Sequence, residues 1–220
     1  RSSDLSRRKP ELLSPHTYSL AHYREAVRVV AQYDSICGEA KSIYAGLPAA
    51  YKPAFYQLVL FPVAASDNLN KLYVTIARNR LYATEGRAST NLMADSARTL
   101  FIKDSLLSHY YNKVLEKGRW EQGREQTHIG YTYWQQPPYN QMPAVRTITL
   151  PDKTQMGISV SGTQDWWPQS SHPASLPRFN SWQKNPYDIT IFSRGSRPVS
   201  YTLRADKPWI QLSAHTGKTS

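Results

Sequence analysis

The sequence predicts an α+β protein, in which an N-terminal antiparallel helical bundle is followed by a partial antiparallel β-sandwich. Apolar residues between Ser19 and Gly118 recur at spacings of three, four or seven, the period of a helix with one buried face. After Pro143, short stretches alternate apolar and polar residues between turns that contain Pro or Gly, as half-buried antiparallel strands do. We therefore expect a bundle with its lead-in over residues 1–136, a linker over 137–144 and an incomplete sandwich-like domain over 145–220.

The first helix is predicted from an N-cap at Ser19 to a stop at Gly46. Cys37 lies in its apolar stripe, where we interpret it as a small buried side chain rather than a nucleophile. Gly38 weakens the middle of this helix by up to about 1 kcal/mol relative to Ala, and we interpret it as a bend or a close crossing. The stripe is formed by Leu20, Tyr23, Val27, Val30, Cys37, Ala40 and Tyr44.

A second helix is predicted to start near Pro53, a residue suited to the first turn. Pro62 cannot donate a helical hydrogen bond, so we expect a kink or break there before the helix continues to Gly86. A third helix, from about Leu92, is predicted to end before Gly118. Three to five helices joined by such short breaks are typical of an antiparallel bundle.

Five short strands are predicted in the second half, two of them flanking the Gly195 turn as a hairpin. Because five strands barely make two sheets, some strand edges are left open. We therefore expect that the chain ends inside a domain, or that another chain or a missing segment completes the sandwich. The loop between the second and third strands contains Trp166, Trp167, His172 and Trp182. The strands are 145–150, 156–160, 187–192, 199–203 and 209–212.

Composition excludes several classes of protein. The net charge is +11, but the sequence contains a single basic run, Arg7–Lys9, and no nucleic-acid-binding motif. We therefore predict a solvated basic surface or an acidic partner rather than nucleic-acid binding. A single cysteine allows neither an intramolecular disulfide nor a thiolate metal cluster. No apolar run approaches the roughly 18 residues of a membrane span, so no membrane partner is predicted.

The sequence does not predict a complete active site within this chain. The chain has no Gly-x-Ser-x-Gly, no His-Glu-x-x-His, no phosphate-binding glycine loop and no zinc-ligand spacing. The acidic side chains are predicted mostly on exposed helix faces, where they cannot form a catalytic pair in a cleft. We therefore predict no catalytic residue, no metal site and no cofactor in this chain.

The stretch Gln126–Pro138 is the most distinctive in the sequence, because it combines a histidine and three aromatic rings with neither a helical nor a strand period. Its rings, Tyr131, Tyr133 and Trp134, could stack on a sugar face or fasten the bundle to a neighbour, and composition favours packing. His128 could be an acid or base, or a hydrogen-bonded packing residue. Arg87 belongs to a polar cluster near Gly86 that could bind an anion or be a solvated helix end.

Several motifs in one order resemble the C-terminal half of glycoside hydrolase family 115, the xylan α-glucuronidases. The resemblance is close from about Arg8 to Pro143 and looser through the strand half. It is carried by residues 8–13, 17–20, 54–60 with Pro62 and Val63, 79–83 with 86–89, and above all Gln126–Pro138, followed by 192–195 and 208–210.

The resemblance implies hydrolysis of α-1,2-linked glucuronic or 4-O-methylglucuronic acid from xylan by carboxylates of a barrel domain that would precede this chain. The family's β domain would continue past Ser220. The chain is therefore expected to be a non-catalytic helical and β fragment that supports the barrel, with an extracellular or periplasmic location. Substrate-side contacts are expected from Arg87, His128, Tyr131, Tyr133 and Trp134. The alternative is a stand-alone carbohydrate-binding or scaffold protein, and a homo-oligomer is left open.

Overall fold

A computed structural model describes residues 12–132, 135–179, 182, 187–212 and 214–219. The chain divides into two compact units. The first comprises Arg1–Leu20, Arg24–Arg78 and Met93–Val145, and the second Ala21–Tyr23, Asn79–Leu92 and Arg146–Ser220. The predicted α+β class is confirmed, because helices come first and antiparallel strands in two small sheets follow.

Helix α1, Glu25–Gly46, begins later than predicted and ends at the predicted residue. Ser19 does not cap it, because Tyr23 and Arg24 have positive φ angles of 56° and 50°, and no helix can continue through them. The carboxylate of Glu25 instead accepts a hydrogen bond from the Ser19 backbone at 2.8 Å. Cys37 is buried as expected. No atom beyond the helix itself lies within 4 Å of a Cβ built on Gly38, so the predicted close crossing is wrong.

The helix is not broken at Pro62, because residues 52–85 are helical throughout, and the irregularity there is a π-helical turn just before the proline. A 3-10 turn, Ala49–Tyr51, leads into the short helix α2, Lys52–Phe55, and a π-helical turn, Tyr56–Leu60, precedes α3, Phe61–Glu85. The Phe61 backbone N–H bonds to the Tyr56 carbonyl, five residues back, which places Pro62 in the first turn of α3, where its missing N–H costs little. Helix α3 ends as predicted before Gly86, whose φ is +67°.

Helix α4, Thr90–His109, continues through a π-helical turn, Tyr110–Val114. It ends there, shortly before the predicted stop at Gly118, because Glu116 and Lys117 in the following turn, Leu115–Gly118, have positive φ angles of 49° and 57°. The first unit holds two apolar clusters around these helices. One is centred on α3 and contains Leu69, Leu72, Tyr73, Val74, Ile76 and Ile129. The other surrounds the π-helical turns and contains Ala40, Tyr56, Leu60, Phe61, Tyr111 and Leu115.

The second unit contains a three-stranded sheet in the order β2-β1-β3 and a two-stranded sheet, β4-β5. All pairings are antiparallel, with Ile158 of β1 opposite Trp167 of β2 and Ile191 of β3. That these sheets form a sandwich stays a prediction. The strands are β1 Met156–Val160, β2 Trp166–Trp167, β3 Ile189–Ser193, β4 Val199–Thr202 and β5 Thr216–Thr219.

Three strand predictions are wrong. The strands on either side of Gly195 are not a hairpin, because β3 pairs with β1 and β4 pairs with β5. Residues 209–212 form no strand, and the last strand is Thr216–Thr219 instead. Trp166–Trp167, predicted as loop, pairs with β1 as the strand β2.

The predicted strand at 145–150 is also absent, and side chains satisfy its backbone. The amide of Asn79 bonds both to the carbonyl and to the N–H of Arg146, and that of Asn91 does the same to Ile148. Since an extended segment needs partners for these groups, two asparagines replace a neighbouring strand here.

Candidate functional site

The segment Gln126–Tyr131 belongs to the first unit and is held by side chains on both sides. Asn140 Oδ1 accepts hydrogen bonds from the backbone N–H groups of His128 and Ile129 at 2.8 and 3.0 Å. The Gly130 N–H donates to the Tyr73 hydroxyl at 3.3 Å. Ile129 is fully buried in the cluster around α3. Three consecutive backbone amides are therefore fixed, which explains how an irregular segment is held in place.

The ring of His128 lies between two groups of oxygen atoms. Its Nε2 lies 2.9 Å from each carboxylate oxygen of Asp104, and its Nδ1 lies 3.0 Å from the Gln126 carbonyl oxygen. Asp104 is on α4 and is 2% exposed. A buried carboxylate needs a positively charged or donating partner, and His128 provides it.

A cavity of about 320 Å³ adjoins this pair. Its floor is apolar and comes from the first turns of α3, while α4 and the segment after Gly123 supply a polar rim. Among the residues that the structure describes, the hydroxyls of Ser66 and Ser108 bond to no protein group and are available to a ligand. The lining residues are Phe61, Pro62, Ala65, Ser66, Leu69, Asp104, Ser108, Gly123, Arg124, Gln126, Thr127 and His128.

A second, more polar cavity of about 260 Å³ shares Ser108, Arg124, Gln126 and His128 with the first. Arg124 is exposed, and its backbone is fixed in the same way as that of Arg146. Asn112 accepts the Arg124 N–H at 3.0 Å and donates to its carbonyl oxygen at 3.1 Å. The guanidinium of Arg124 lies 5.9 Å from the centroid of the Tyr111 ring, and its N–H groups suit it to binding a carboxylate in either cavity.

The hydroxyl of Tyr73 remains neutral beside this pair. Burial raises the pKa of Tyr73, and the negative charge of Asp104 raises it further, while the hydrogen bond from Gly130 acts in the opposite direction. The phenol therefore stays protonated at neutral pH, where its oxygen can accept the hydrogen bond from the Gly130 N–H.

Only two of the predicted substrate-side residues are described in this segment. Tyr131 is half-buried, and its hydroxyl donates to the Thr127 carbonyl at 3.2 Å, so it closes the segment on itself. His128 lines both cavities. Tyr133 and Trp134 lie outside the described residues.

Arg87 belongs to the second unit, where its side chain is surrounded by partners. Its guanidinium lies 4.3 Å from the centroid of the Tyr82 ring and 4.1 Å from that of Phe192. It also pairs with the Glu85 carboxylate and donates to Ser159 Oγ at 2.9 Å. Arg87 is 7% exposed, so in this structure its donors serve the unit itself.

Sequence reasoning missed Asp104 and Arg124. The expectation that acidic side chains lie on exposed faces is wrong for Asp67, Glu85 and Asp104, all of which are buried. A signal for Asp104 exists, because it falls at helical spacing between the buried residues Ala97 and Tyr111. Arg124 carries no comparable signal, since it stands in an irregular stretch.

Comparison with known proteins returns no matching family model and no matching curated sequence. Among the described residues, no three His, Cys, Asp or Glu side chains are grouped so as to hold a metal ion. None of the described helices combines the length and the apolar composition needed to cross a membrane. The site must therefore be interpreted from its own geometry and from the motifs of the sequence.

Proposed function

We propose that this chain is the helical and β portion of a xylan α-glucuronidase of glycoside hydrolase family 115, and that its cavity beside His128 forms a carbohydrate-binding wall. In the intact enzyme, carboxylates of a barrel domain would hydrolyse the α-1,2 bond to glucuronic or 4-O-methylglucuronic acid. The barrel and glucuronoxylan would be its partners, and an extracellular or periplasmic location goes with this role.

The cavity of about 320 Å³ is the observation that carries the proposal. The half-buried Pro62 and Ala65 offer apolar surface to the apolar face of a sugar ring, and Ser66 and Ser108 offer hydroxyls to its polar edge. Arg124 adds a donor suited to a uronate carboxylate. The volume is of the order needed for one or two sugar rings.

Binding, rather than bond cleavage, is what this cavity supports. Glycoside hydrolysis uses two carboxyl groups roughly 5 to 10 Å apart on either side of the bond. Among the described residues that line the larger cavity, Asp104 is the one carboxylate, and its oxygens are engaged with His128. The catalytic carboxylates would therefore face this wall from the barrel.

Calorimetric titration of the chain with a xylo-oligosaccharide that bears one glucuronic acid, against the same oligosaccharide without it, tests the proposal. We expect the acidic sugar to bind more tightly, and Arg124→Ala to lower its affinity about tenfold or more while changing that of the neutral sugar little. Arg98→Ala is the matched control, because Arg98 pairs with Asp95 on α4 and lines neither cavity. Equal affinities for both sugars in the unchanged chain would refute the proposal.

A stand-alone carbohydrate-binding protein is the second candidate, favoured by two exposed tryptophans of the second unit. Trp182 is 93% exposed and Trp209 is 78% exposed, and such rings are stacking surfaces for sugars. Trp209→Ala and Trp182→Ala would then abolish binding to xylan that Arg124→Ala leaves intact. The reverse pattern supports the cavity.

A further inference from the structure

Strand β3 forms one edge of the three-stranded sheet, because among the described residues it pairs with β1 alone. Two hydrogen bonds at the ends of this pairing show which residues of β3 face β1. The Arg194 N–H donates to the Gln155 carbonyl oxygen at 2.8 Å, and the Ser161 N–H donates to the Asp188 carbonyl oxygen at 2.9 Å. In an antiparallel pair, residues that bond across the pair alternate with residues whose backbone groups face away from it. The even-numbered residues of β3 therefore bond to β1, and the odd-numbered residues face outwards.

The outward backbone groups of Ile189 and Ile191 are available to another strand. Within the part of the chain that the structure describes, neither residue forms a hydrogen bond on that side. The edge is closed further along, because the Ser193 carbonyl oxygen accepts the Ala88 N–H at 2.8 Å. Residues 188–190 are exposed to solvent. We call residues 187–191 the open edge.

The open edge lacks the features by which natural proteins prevent edge strands from pairing. Such edges are usually protected by proline, by lysine or by a β-bulge. The open edge reads Tyr-Asp-Ile-Thr-Ile, without proline or lysine, and the register with β1 runs from residue 189 to residue 193 without a bulge. Its isoleucines and threonine are β-branched and favour an extended backbone. An exposed edge of this kind is suited to receiving a further strand.

The open edge is complementary to a second copy of itself. In an antiparallel pairing about a two-fold axis at Ile189, this residue lies opposite its own copy, and Ile191 lies opposite Tyr187 of the copy. Each of these pairs joins outward backbone groups and can exchange two hydrogen bonds. Asp188 then lies opposite Thr190, so that no like charges face each other.

The contact with Ala88 selects this register over the next one. An axis at Ile191 would bring Ile189 of the copy opposite Ser193, whose carbonyl oxygen already accepts the Ala88 N–H. An axis at Ile189 leaves Ser193 outside the paired residues. It also buries the Ile189 side chain, which is 58% exposed in the single chain, against its own copy.

We propose that two copies of this chain pair through the open edge, antiparallel and with the two-fold axis at Ile189, so that the three-stranded sheet continues into the second copy. A paired edge of five residues is smaller than a standard protein interface, so the dimer should be weak, with a Kd on the order of 10 to 100 μM. The inference goes beyond the proposed function, because it involves residues of the second unit and no sugar.

Opposite charges at position 189 test this register. Ile189→Lys and Ile189→Glu each place like charges opposite one another across the axis, whereas an equal mixture of the two variants places opposite charges there. Sedimentation velocity should show the unchanged chain passing from monomer to dimer between about 10 μM and 1 mM. Each variant alone should dimerise about tenfold or more weakly than the mixture. An unchanged chain that stays monomeric at about 1 mM, or variants that dimerise equally well alone and mixed, overturns the proposal.

A backbone variant and a matched control complete the test. Ile189→Pro removes an outward N–H and no bond to β1, so circular dichroism should show a folded chain, and its dimer should be about fivefold or more weaker. A folded Ile189→Pro that dimerises as the unchanged chain does overturns the proposal, and if it does not fold, the charged variants decide. Thr202→Lys and Thr202→Glu, at an exposed position of β4, should dimerise as the unchanged chain does, alone and mixed. The same dependence on mixing at position 202 would assign the effect to charge in general and overturn the pairing.

Discussion

The side-chain amide of Asn79 replaces a β-strand partner for Arg146. Its Nδ2 lies 2.9 Å from the Arg146 carbonyl oxygen, and its Oδ1 lies 2.7 Å from the Arg146 backbone nitrogen. The same Nδ2 donates to the Thr90 carbonyl at 2.9 Å, and Asn79 is fully buried. One side chain in the second unit therefore satisfies three backbone groups.

Asn79→Ala should lower the free energy of unfolding by about 1 to 3 kcal/mol, because it removes the three hydrogen bonds of a fully buried side chain and takes from the Arg146 backbone its N–H and C=O partner. Urea denaturation followed by far-UV circular dichroism measures this change. Thr84→Ala is the control, since its hydroxyl bonds to a backbone carbonyl on the exposed side of the same helix. A loss no larger than that of the control would contradict the role assigned to Asn79.

Arg87→Lys should destabilise the chain by about 1 to 3 kcal/mol although the charge is kept. A lysine ammonium cannot stack between Tyr82 and Phe192 while also bonding to Glu85 and Ser159, as the flat guanidinium does. Thermal denaturation gives the stability, and titration with glucuronic acid gives the affinity. Unchanged stability with weakened affinity would instead support the substrate contact expected from the sequence.

Gly195→Ala should be severely destabilising, by roughly 3 kcal/mol or more, because its Cβ would lie 1.8 Å from the Lys153 carbonyl oxygen. Backbone must move to relieve such a contact. The measurement is the urea midpoint of the purified variant, or its failure to accumulate as soluble protein. A variant as stable as the unchanged chain would contradict the close contact between Gly195 and the Lys153 carbonyl oxygen.

Gly38→Ala should stabilise the chain by up to about 1 kcal/mol. The site is exposed in the middle of α1, nothing lies within 4 Å of the added methyl group, and alanine favours a helix more than glycine does. An increased melting temperature is the expected result. A decrease would mean that the position has a contact with something other than this chain, which a shift in oligomeric state on gel filtration would then reveal.

Tyr56→Phe should make the chain less sensitive to alkali. Burial, with Tyr110 and Tyr44 nearby, raises the pKa of Tyr56 to about 12. The unfolded chain therefore loses this proton first, near pH 10, so stability is full below that pH and declines as the pH rises towards 12. We expect the variant to lose about 1 to 2 kcal/mol less than the unchanged chain between these values, measured by urea denaturation at each pH.

Helix ends were predictable because they depend on a few local residues. The helix ends at Gly46 and Gly86 are correctly predicted, since a glycine acts on its own backbone, whereas Pro62 is accommodated after a π-helical turn without breaking the helix. The start of α1 is not correctly predicted. Tyr23 and Arg24 adopt positive φ angles, which are uncommon for residues other than glycine and which nothing in the sequence indicates.

Strand pairing and the site depended on contacts between distant residues. The alternation around residue 147 indicated a strand, but the asparagines that hold it come from positions 79 and 91. The sequence marks His128 as a candidate site residue. Its partner Asp104 lies 24 residues away on a helix, and the pairing cannot be predicted without knowing which face of that helix meets His128. The pattern of a single sequence indicates which faces of its helices and strands are apolar. It carries little information on which polar side chains form hydrogen bonds with each other.

The asparagine contacts of Arg146 and Ile148 also determine where the chain can change in length. Alternate residues of an extended segment turn their backbone N–H and C=O groups to the same side. Asn79 and Asn91 stand on two helices and hold Arg146 and Ile148, which are two residues apart. A slip by one residue would turn these groups away from both asparagines, so the insertion of a single residue before 146 should be absorbed upstream, leaving the course of the chain into β1 unaltered.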